Sequence, residues 1–225
     1  MNLIAERYET VRRQVADAAD CVGRPAADIS IVAVTKHVGI PEIRRAISAG
    51  MTDFGENRVQ EFLGKWGLFP DVRWHFIGTL QTNKVKDVVG RAFLIHSVDS
   101  LRLLDMIDRK ASEQGVIQPV LLQVNVSGEL SKHGFVPAEV ADVLLEAQRM
   151  ENVEVRGFMT MAPFGRPVDS RWVFRDLREL RDSLAATRPD AVELHELSMG
   201  MTNDYRFAVE EGSTIVRVGT AIFGK

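Results

Sequence analysis

A lysine, an arginine and two glycine-bearing turns are the residues of this sequence best placed to do chemistry. Ile31-Val32-Ala33-Val34-Thr35-Lys36 is an apolar, mostly β-branched run that ends in a threonine and a lysine. It reads as a strand buried on both faces, as in a parallel sheet. Gly39-Ile40-Pro41-Glu42 then turns into a helix, with Pro41 expected at its first position. Lys36 thus stands where a buried parallel strand ends, and α/β folds bind ligands outside the carboxyl ends of their strands. Such surroundings can lower a lysine's pKa, and a neutral amine attacks a carbonyl to form a Schiff base. The plainer alternative is a lysine that only returns the chain to solvent.

Arg217 interrupts the apolar run Thr214-Ile215-Val216-Arg217-Val218. Strand period puts it on one face with Ile215 and Gly219. A buried arginine needs a partner. That partner is either a carboxylate such as Glu196 or Asp204, or an acceptor on a bound ligand. Ser198-Met199-Gly200-Met201 and Arg217-Val218-Gly219-Thr220 are glycine-bearing turns expected after the last two strands. Glycine lets backbone N–H groups approach a phosphate, and serine and threonine hydroxyls add donors. In barrels the loops after strands seven and eight often form such a cradle.

Other polar residues are less directive. Asn57, in Gly55-Glu56-Asn57, either reaches the mouth or caps a helix. His75 reads as a satisfied core histidine, and Gln81, Asn83 and Lys84 as loop and cap chemistry. The five histidines lack metal-ligand spacing. No Ser-His-Asp or Cys-His signature is present, since Cys21 falls at a helix–loop junction.

The elements that must position these residues alternate. Ile4, Tyr8, Val11, Val15, Ala18 and Val22 mark an amphipathic leading helix. The expected strands lie at Lys36's run, Thr52-Asp53-Phe54, Val72 to Ile77, Ala92 to Ser97, Pro119 to Val126, Val153 to Met159, Glu193 to Leu197, and Thr214 to Val218. Helices are expected from Pro41, from Glu56 to Trp66, through Lys84 to Val89, after a cap at Asp99 or Ser100, from Pro137, over Val173 to Leu184, and around Tyr205 to Glu211. Between the fifth strand and its helix runs a polar loop, Ser127 to Gly134, and Gly165-Arg166-Pro167 lies in the loop beyond the sixth strand. Eight strands alternating with helices, without a linker, predict a single α/β domain over residues 1–225, closed as a (β/α)8 barrel. The alternative, an open doubly wound sheet, would want a glycine-rich fingerprint after the first strand, and Thr35 to Gly39 does not provide one.

Composition bounds the function. The 225 residues are 45% hydrophobic and 26% charged, an ordinary globular balance. A net charge of -3 gives no footprint for nucleic acid. One cysteine rules out an internal disulfide and fits a reducing compartment, the cytoplasm. Neither a signal peptide nor a membrane span is legible.

Longer motifs carry a resemblance. Val34-Thr35-Lys36, Phe54-Gly55-Glu56-Asn57, Trp74 through Lys84, Leu197 through Met201 and Gly212 through Gly224 look like the YggS/PROSC family of pyridoxal 5′-phosphate (PLP) homeostasis proteins. The resemblance spans the chain from the first strand onward. It implies a fold-type III barrel related to the N-terminal domain of alanine racemase. It implies that Lys36 is the Schiff-base lysine for PLP, and that Arg217 faces the pyridine nitrogen. Ser198, Gly200, Gly219 and Thr220 would hold the phosphate, with Asn57 near the ring. Lys132, in the loop after the fifth strand, matches a family lysine. The implied role is buffering or delivery of PLP, with PLP-dependent apoenzymes as recipients, by a protein expected to be a monomer. An aldehyde, a ring nitrogen and a phosphate are what a lysine, an aimed arginine and a phosphate cradle would recognise.

The sequence departs from the family at His37-Val38-Gly39-Ile40, where relatives more usually have lysine-proline, and lacks an Arg-Asp-Tyr run that relatives often carry after the last strand. Two rival functions use the same residues: an amino-acid racemase with PLP, and a PLP-free Schiff-base aldolase. Efficient racemisation is not expected. An arginine with a pKa above roughly 12 opposes protonation of the ring nitrogen, which makes the ring a poor electron sink. Racemases of this barrel type add a tyrosine base from a further β-domain. Here only Tyr8 and Tyr205 are available, Tyr8 on the apolar face of the leading helix and Tyr205 just after a phosphate turn.

Overall fold

Eight strands and their intervening helices close into one barrel in the computed structural model, which describes residues 2–129, 132–163, 165, 167–187 and 194–224. The strands are β1 (Ser30–Val34), β2 (Asp53–Glu56), β3 (Arg73–Phe76), β4 (Leu94–Val98), β5 (Gln118–Gln123), β6 (Val153–Met159), β7 (Glu196–Met201) and β8 (Ile215–Val218). Each pairs in parallel with the next, and β8 pairs with β1, so no sheet edge is left. The expected (β/α)8 barrel is the fold observed.

The helices are α1 (Leu3–Asp20), α2 (Ile40–Ser48), α3 (Val59–Trp66), α4 (Val85–Val88), α5 (Leu101–Gln114), α6 (Val140–Ala147), α7 (Arg171–Thr187), α8 (Tyr205–Glu210) and α9 (Thr220–Phe223). α5 shows how local sequence sets the bounds. The Leu103 N–H donates to the Ser100 hydroxyl at the start, and Gly115 takes the left-handed conformation at the end. Its face Leu103, Leu104, Ile107 and Ala111 is buried against the sheet.

Strand alternation divides the core in two. Val32, Leu94, Leu121, Met159 and Ile215 form a cluster inside the barrel. Phe54, Trp74, Phe76, Ile95, Val120, Phe158 and Leu197 belong to the larger layer between strands and helices. Each fully buried side chain of this kind contributes about 1.5–3 kcal/mol. The barrel interior is not wholly apolar, however: Asp53, His75, His96, Ser198 and Arg217 are all buried.

Most boundaries shift by one to three residues from expectation, β5 ending at Gln123 and not at Val126, and three shifts change how a residue is read. Glu56 is not a helix start but the last residue of β2, and α3 begins three residues later. Ser198 to Met201 is not a turn but the second half of β7, and the turn falls at Thr202 to Asp204. Pro41 is the second rather than the first residue of α2. Glu193, Leu130, Ser131, Arg166 and the terminal Lys225 lie outside the described residues.

Candidate functional site

Register brings the expected residues to one end of the barrel. Val32 pairs with Arg217 and Ala33 with Val218 across the β1–β8 seam. One step further, Gly219 faces Val34 so closely that an added Cβ would lie 3.3 Å from the Val34 Cβ. On the other side of β1, Val34 pairs with Gly55. Lys36 and Asn57 each lie two residues beyond that pair, just past the ends of β1 and β2. Both are exposed, at the mouth. Asn57 does not cap α3: Arg58 holds the cap position, with no side-chain hydrogen bond.

The turn that carries Lys36 is clamped from α3. Thr35 is fully buried and points outward, where its hydroxyl donates to the Glu56 carboxylate. Lys65 Nζ donates to the Thr35 carbonyl at 2.9 Å and also to Glu56 Oε1. Glu61, one helical turn before Lys65, accepts from the His37 N–H at 3.4 Å. Thr35 O also accepts from the Val38 N–H, and His37 adopts φ +60°. Lys36 follows in the turn, exposed at the carboxyl end of β1. Neither Glu61 nor Lys65 was singled out from sequence.

Arg217 is held by neither carboxylate considered from sequence. Its Nη1 donates to Ser198 Oγ at 2.6 Å and its Nη2 to the Thr160 carbonyl at 3.0 Å. Glu196 instead accepts from Thr214, and Asp204 accepts from the Met201 N–H at 2.6 Å. Burial pushes the Arg217 pKa down to about 10, with the Asp204 charge opposing the fall. The expectation of a value above 12 is corrected, yet the guanidinium remains charged at neutral pH. Ser198 is itself fully buried and also bonds His96 Nδ1 at 2.8 Å. Its hydroxyl therefore points into the barrel, not into a turn.

Gly200 has φ +91°, and an added Cβ would lie 2.5 Å from the Ala208 Cβ, so β7 can turn against α8 only with glycine there. The turn places Thr202 opposite β8, where the Gly219 N–H donates to Thr202 Oγ1 at 3.4 Å. Thr202 was not singled out from sequence. Its signal was its position two residues past Gly200, mirroring the hydroxyl of Thr220 one residue past Gly219. Thr220 is exposed and opens α9, a short helix that sequence patterning did not anticipate.

Lys132 reaches the same rim from the loop after β5. Its Nζ lies 3.3 Å from the Met161 carbonyl and 3.1 Å from Glu129 Oε1. The two tyrosines do not approach the mouth as bases. Tyr205 is buried and its hydroxyl donates to Gln14 Oε1 on α1. Tyr8 lines a cleft with Ser30, Asp53 and Arg73, at the amino-terminal ends of the strands.

Comparison with known proteins gives a consistent match. The family described as alanine racemase, N-terminal domain, matches residues 8–225. A pyridoxal phosphate homeostasis protein of Aquifex aeolicus is 43% identical over 223 residues, covering 98% of this chain and 97% of the relative. PipY of Synechococcus elongatus, solved with PLP bound, is 37% identical with a TM-score of 0.86, covering 98% of this chain and 100% of that one. An alanine racemase of Streptomyces coelicolor, 19% identical, shares the fold with a TM-score of 0.73 over 99% of this chain and 58% of its own. The chain belongs to the pyridoxal phosphate homeostasis protein family, built on the alanine racemase N-terminal domain barrel.

Proposed function

We propose that this protein binds pyridoxal 5′-phosphate at the carboxyl ends of β1, β2, β7 and β8, attached through Lys36, and buffers or delivers it without efficient turnover. The observation that carries this reading is the register that sets Arg217, Gly219 and Lys36 in ascending steps around the β1–β8 seam. A cationic donor deep in the barrel, a glycine turn with hydroxyls, and an exposed amine above suit a ring nitrogen, a phosphate and an aldehyde in turn. The space in front of Gly219 is one that a side chain would fill. That supports a close approach of phosphate to the Gly219 backbone and to the Thr202 and Thr220 hydroxyls. Gly200 shapes the turn that brings Thr202 there. Ser198 serves Arg217 rather than the phosphate, because both its contacts lie inside the barrel. Asn57 stands beside the ring on the β2 side.

When bound, the cofactor supplies an aldehyde that condenses reversibly with an amine. The chain's own residues orient it. Arg217 donates and stays charged, which opposes a proton on the ring nitrogen. The α3 clamp fixes the backbone on either side of Lys36. Neither tyrosine offers a second base, which favours a carrier over a racemase. The relative solved with PLP and the relatives named for PLP homeostasis support the same reading. The recipients would be PLP-dependent apoenzymes. The single thiol, Cys21, is free and exposed, as suits the reducing cytoplasm. Among the described residues no helix is long and apolar enough to cross a membrane.

The test is borohydride reduction of the PLP-loaded protein, followed by peptide mapping. A phosphopyridoxyl group on Lys36, lost in Lys36→Ala, is the expected result. Label retained on another lysine in that variant would overturn the assignment.

A further inference from the structure

A continuous line of buried polar side chains crosses the barrel from its amino-terminal end to Arg217. Arg73, at the solvent edge, donates from Nε to Asp53 Oδ1 at 2.7 Å and from Nη2 to Asp53 Oδ2 at 2.6 Å. Asp53 Oδ1 lies 3.0 Å from His75 Nε2. His75 Nδ1 lies 2.8 Å from His96 Nε2, and His96 Nδ1 lies 2.8 Å from Ser198 Oγ. Ser198 Oγ lies 2.6 Å from Arg217 Nη1. The four middle residues come from β2, β3, β4 and β7, and all of them are buried.

The donors and acceptors along this line can be ordered from its outer end. Asp53 is ionised: burial alone would raise its pKa, but hydrogen bonds from His75, Arg73 and Thr52 outweigh burial and bring it to about 2. An ionised carboxylate only accepts, so His75 carries its proton on Nε2. The Arg73 fork already matches the Asp53 charge, which leaves no counter-ion for a cation on either buried ring. Neutral His75 then accepts at Nδ1, and His96 must donate from Nε2. Burial pushes His96 well below its ordinary pKa, so that ring is neutral and accepts at Nδ1. Ser198 must therefore donate its hydroxyl proton to His96 and turn a lone pair toward Arg217. Arginine has only donors, and the line ends there without conflict.

We propose that Asp53, His75, His96 and Ser198 form a one-way hydrogen-bond relay that positions Arg217 from the opposite end of the barrel. Its consequence for the cofactor ring rests on the PLP reading above; the order of the protons does not. The relay keeps an acceptor facing Arg217 Nη1 while the Thr160 carbonyl holds Nη2. With two fixed acceptors the guanidinium cannot rotate out of the plane they define. The four relay residues are positioning residues, since they act on the ring only through Arg217.

The test uses nitrogen-15 NMR of the histidine rings in the protein without cofactor. Both His75 and His96 should be neutral with the proton on Nε2, and an Nδ1 proton or an imidazolium on either ring overturns the relay. Direction makes an asymmetric demand on two variants. Asp53→Leu removes the terminal acceptor and should give His96 a measurable Nδ1-protonated population. Ser198→Ala should leave both ring tautomers as they are, because Asp53 still sets them, yet weaken PLP binding about tenfold by releasing Nη1. Unaltered His96 in a folded Asp53→Leu, flipped rings in Ser198→Ala, or undiminished PLP affinity in Ser198→Ala would each count against the proposal. Should Asp53→Leu fail to fold, the wild-type tautomers and Ser198→Ala still decide. Absence of PLP binding by the wild-type protein, with the tautomers as expected, would instead defeat the functional reading and leave the proton order standing.

Discussion

Lys65 Nζ lies 2.9 Å from the carbonyl oxygen of Thr35, the residue that precedes Lys36. The same ammonium pairs with Glu56, whose side chain is fully shielded from solvent. One oxygen of that carboxylate is satisfied by Lys65 and Thr35, while Oε2 has no hydrogen-bond partner among the described residues. A buried carboxylate so placed depends on its cation. Lys65→Met should therefore destabilise the protein by about 3–5 kcal/mol, the cost of leaving a buried charge unpaired. Adding Glu56→Gln should restore part of that loss, because the orphaned charge is gone. Urea unfolding of the single and double variants measures both. A Lys65→Met protein within about 0.5 kcal/mol of wild type would mean that the clamp is ornamental.

The interior histidine gives stability a defined pH dependence. His96 titrates near 6.5 in the unfolded chain and well below that when folded, so below pH 6.5 the unfolded state binds more protons. Its contribution is complete above pH 6.5 and is lost as pH falls toward the folded value, by up to about 1.4 kcal/mol per pH unit. Asp53 adds a second loss. Its carboxyl falls from 3.8 to about 2 on folding, so its share, on the order of 2 kcal/mol, disappears between those two values. Unfolding free energies measured from pH 8 down to pH 2 should therefore decline in two stages, and His96→Gln should flatten the one that begins below pH 6.5. An identical slope in that variant would exclude His96 as the source.

Much of this was legible in sequence, and the misses have physical causes. β6 was read to the residue, because Val153, Val155 and Phe158 are β-formers and the run lies between Glu151-Asn152 and the loop that carries Pro163. β7 was cut short at Leu197, because serine and glycine are turn formers in isolation. Inside a barrel the end of a strand carries the polar inner layer: Ser198 pairs there with Met159 and Ile215, and Gly200 lies within the same strand. Glu56 looked like the start of a helix for the same reason: local propensity favours it, and only the pairing of β2 with β3 overrules it. The placement of Lys36, Arg217 and Gly219 at one end of the barrel was legible because strand period and strand ends define it. The link from His96 to Ser198 was not, since it joins residues 102 apart in the chain.

The cradle makes a discriminating prediction about ligands. Gly219 has a negative φ of -112°, outside the left-handed region, so a substituent there meets a limit of space. Its Cβ would sit 3.3 Å from the Val34 Cβ and 3.4 Å from the Val34 carbonyl. The γ-methyls of Gly219→Val would therefore be driven toward the turn between Thr202 and Thr220. Affinity for PLP should fall by about ten- to a hundredfold, as expected for losing charge-assisted hydrogen bonds. Affinity for pyridoxal, which has no phosphate ester, should change by no more than about twofold. Equal losses for both ligands in equilibrium dialysis would argue that the substitution distorts the barrel and does not block a phosphate.

Racemisation provides the sharpest division between carrier and enzyme. Inverting an α-carbon needs a proton removed on one face and another delivered on the other, so two groups must flank the substrate. Lys36 can serve one face. For the other, sequence left Tyr205, just after the expected phosphate turn, as the one candidate. In the folded chain the Tyr205 ring is buried and its hydroxyl donates to Gln14, in the leading helix. Burial raises its pKa, which makes the phenolate still less accessible at neutral pH. The group is thus a structural tie between α8 and α1. Removing a true general base costs about 10²–10⁴ in rate, whereas removing a tie of this sort costs about 1 kcal/mol of stability. PLP-loaded protein incubated with L-alanine in deuterated water should show only slow exchange at Cα, with no sustained interconversion of enantiomers. Tyr205→Phe should leave that slow rate unchanged within about twofold while lowering the melting temperature by about 2–4 °C. Rapid racemisation by the wild-type protein that collapses a hundredfold or more in Tyr205→Phe would convert the tie into a base and the carrier into an enzyme.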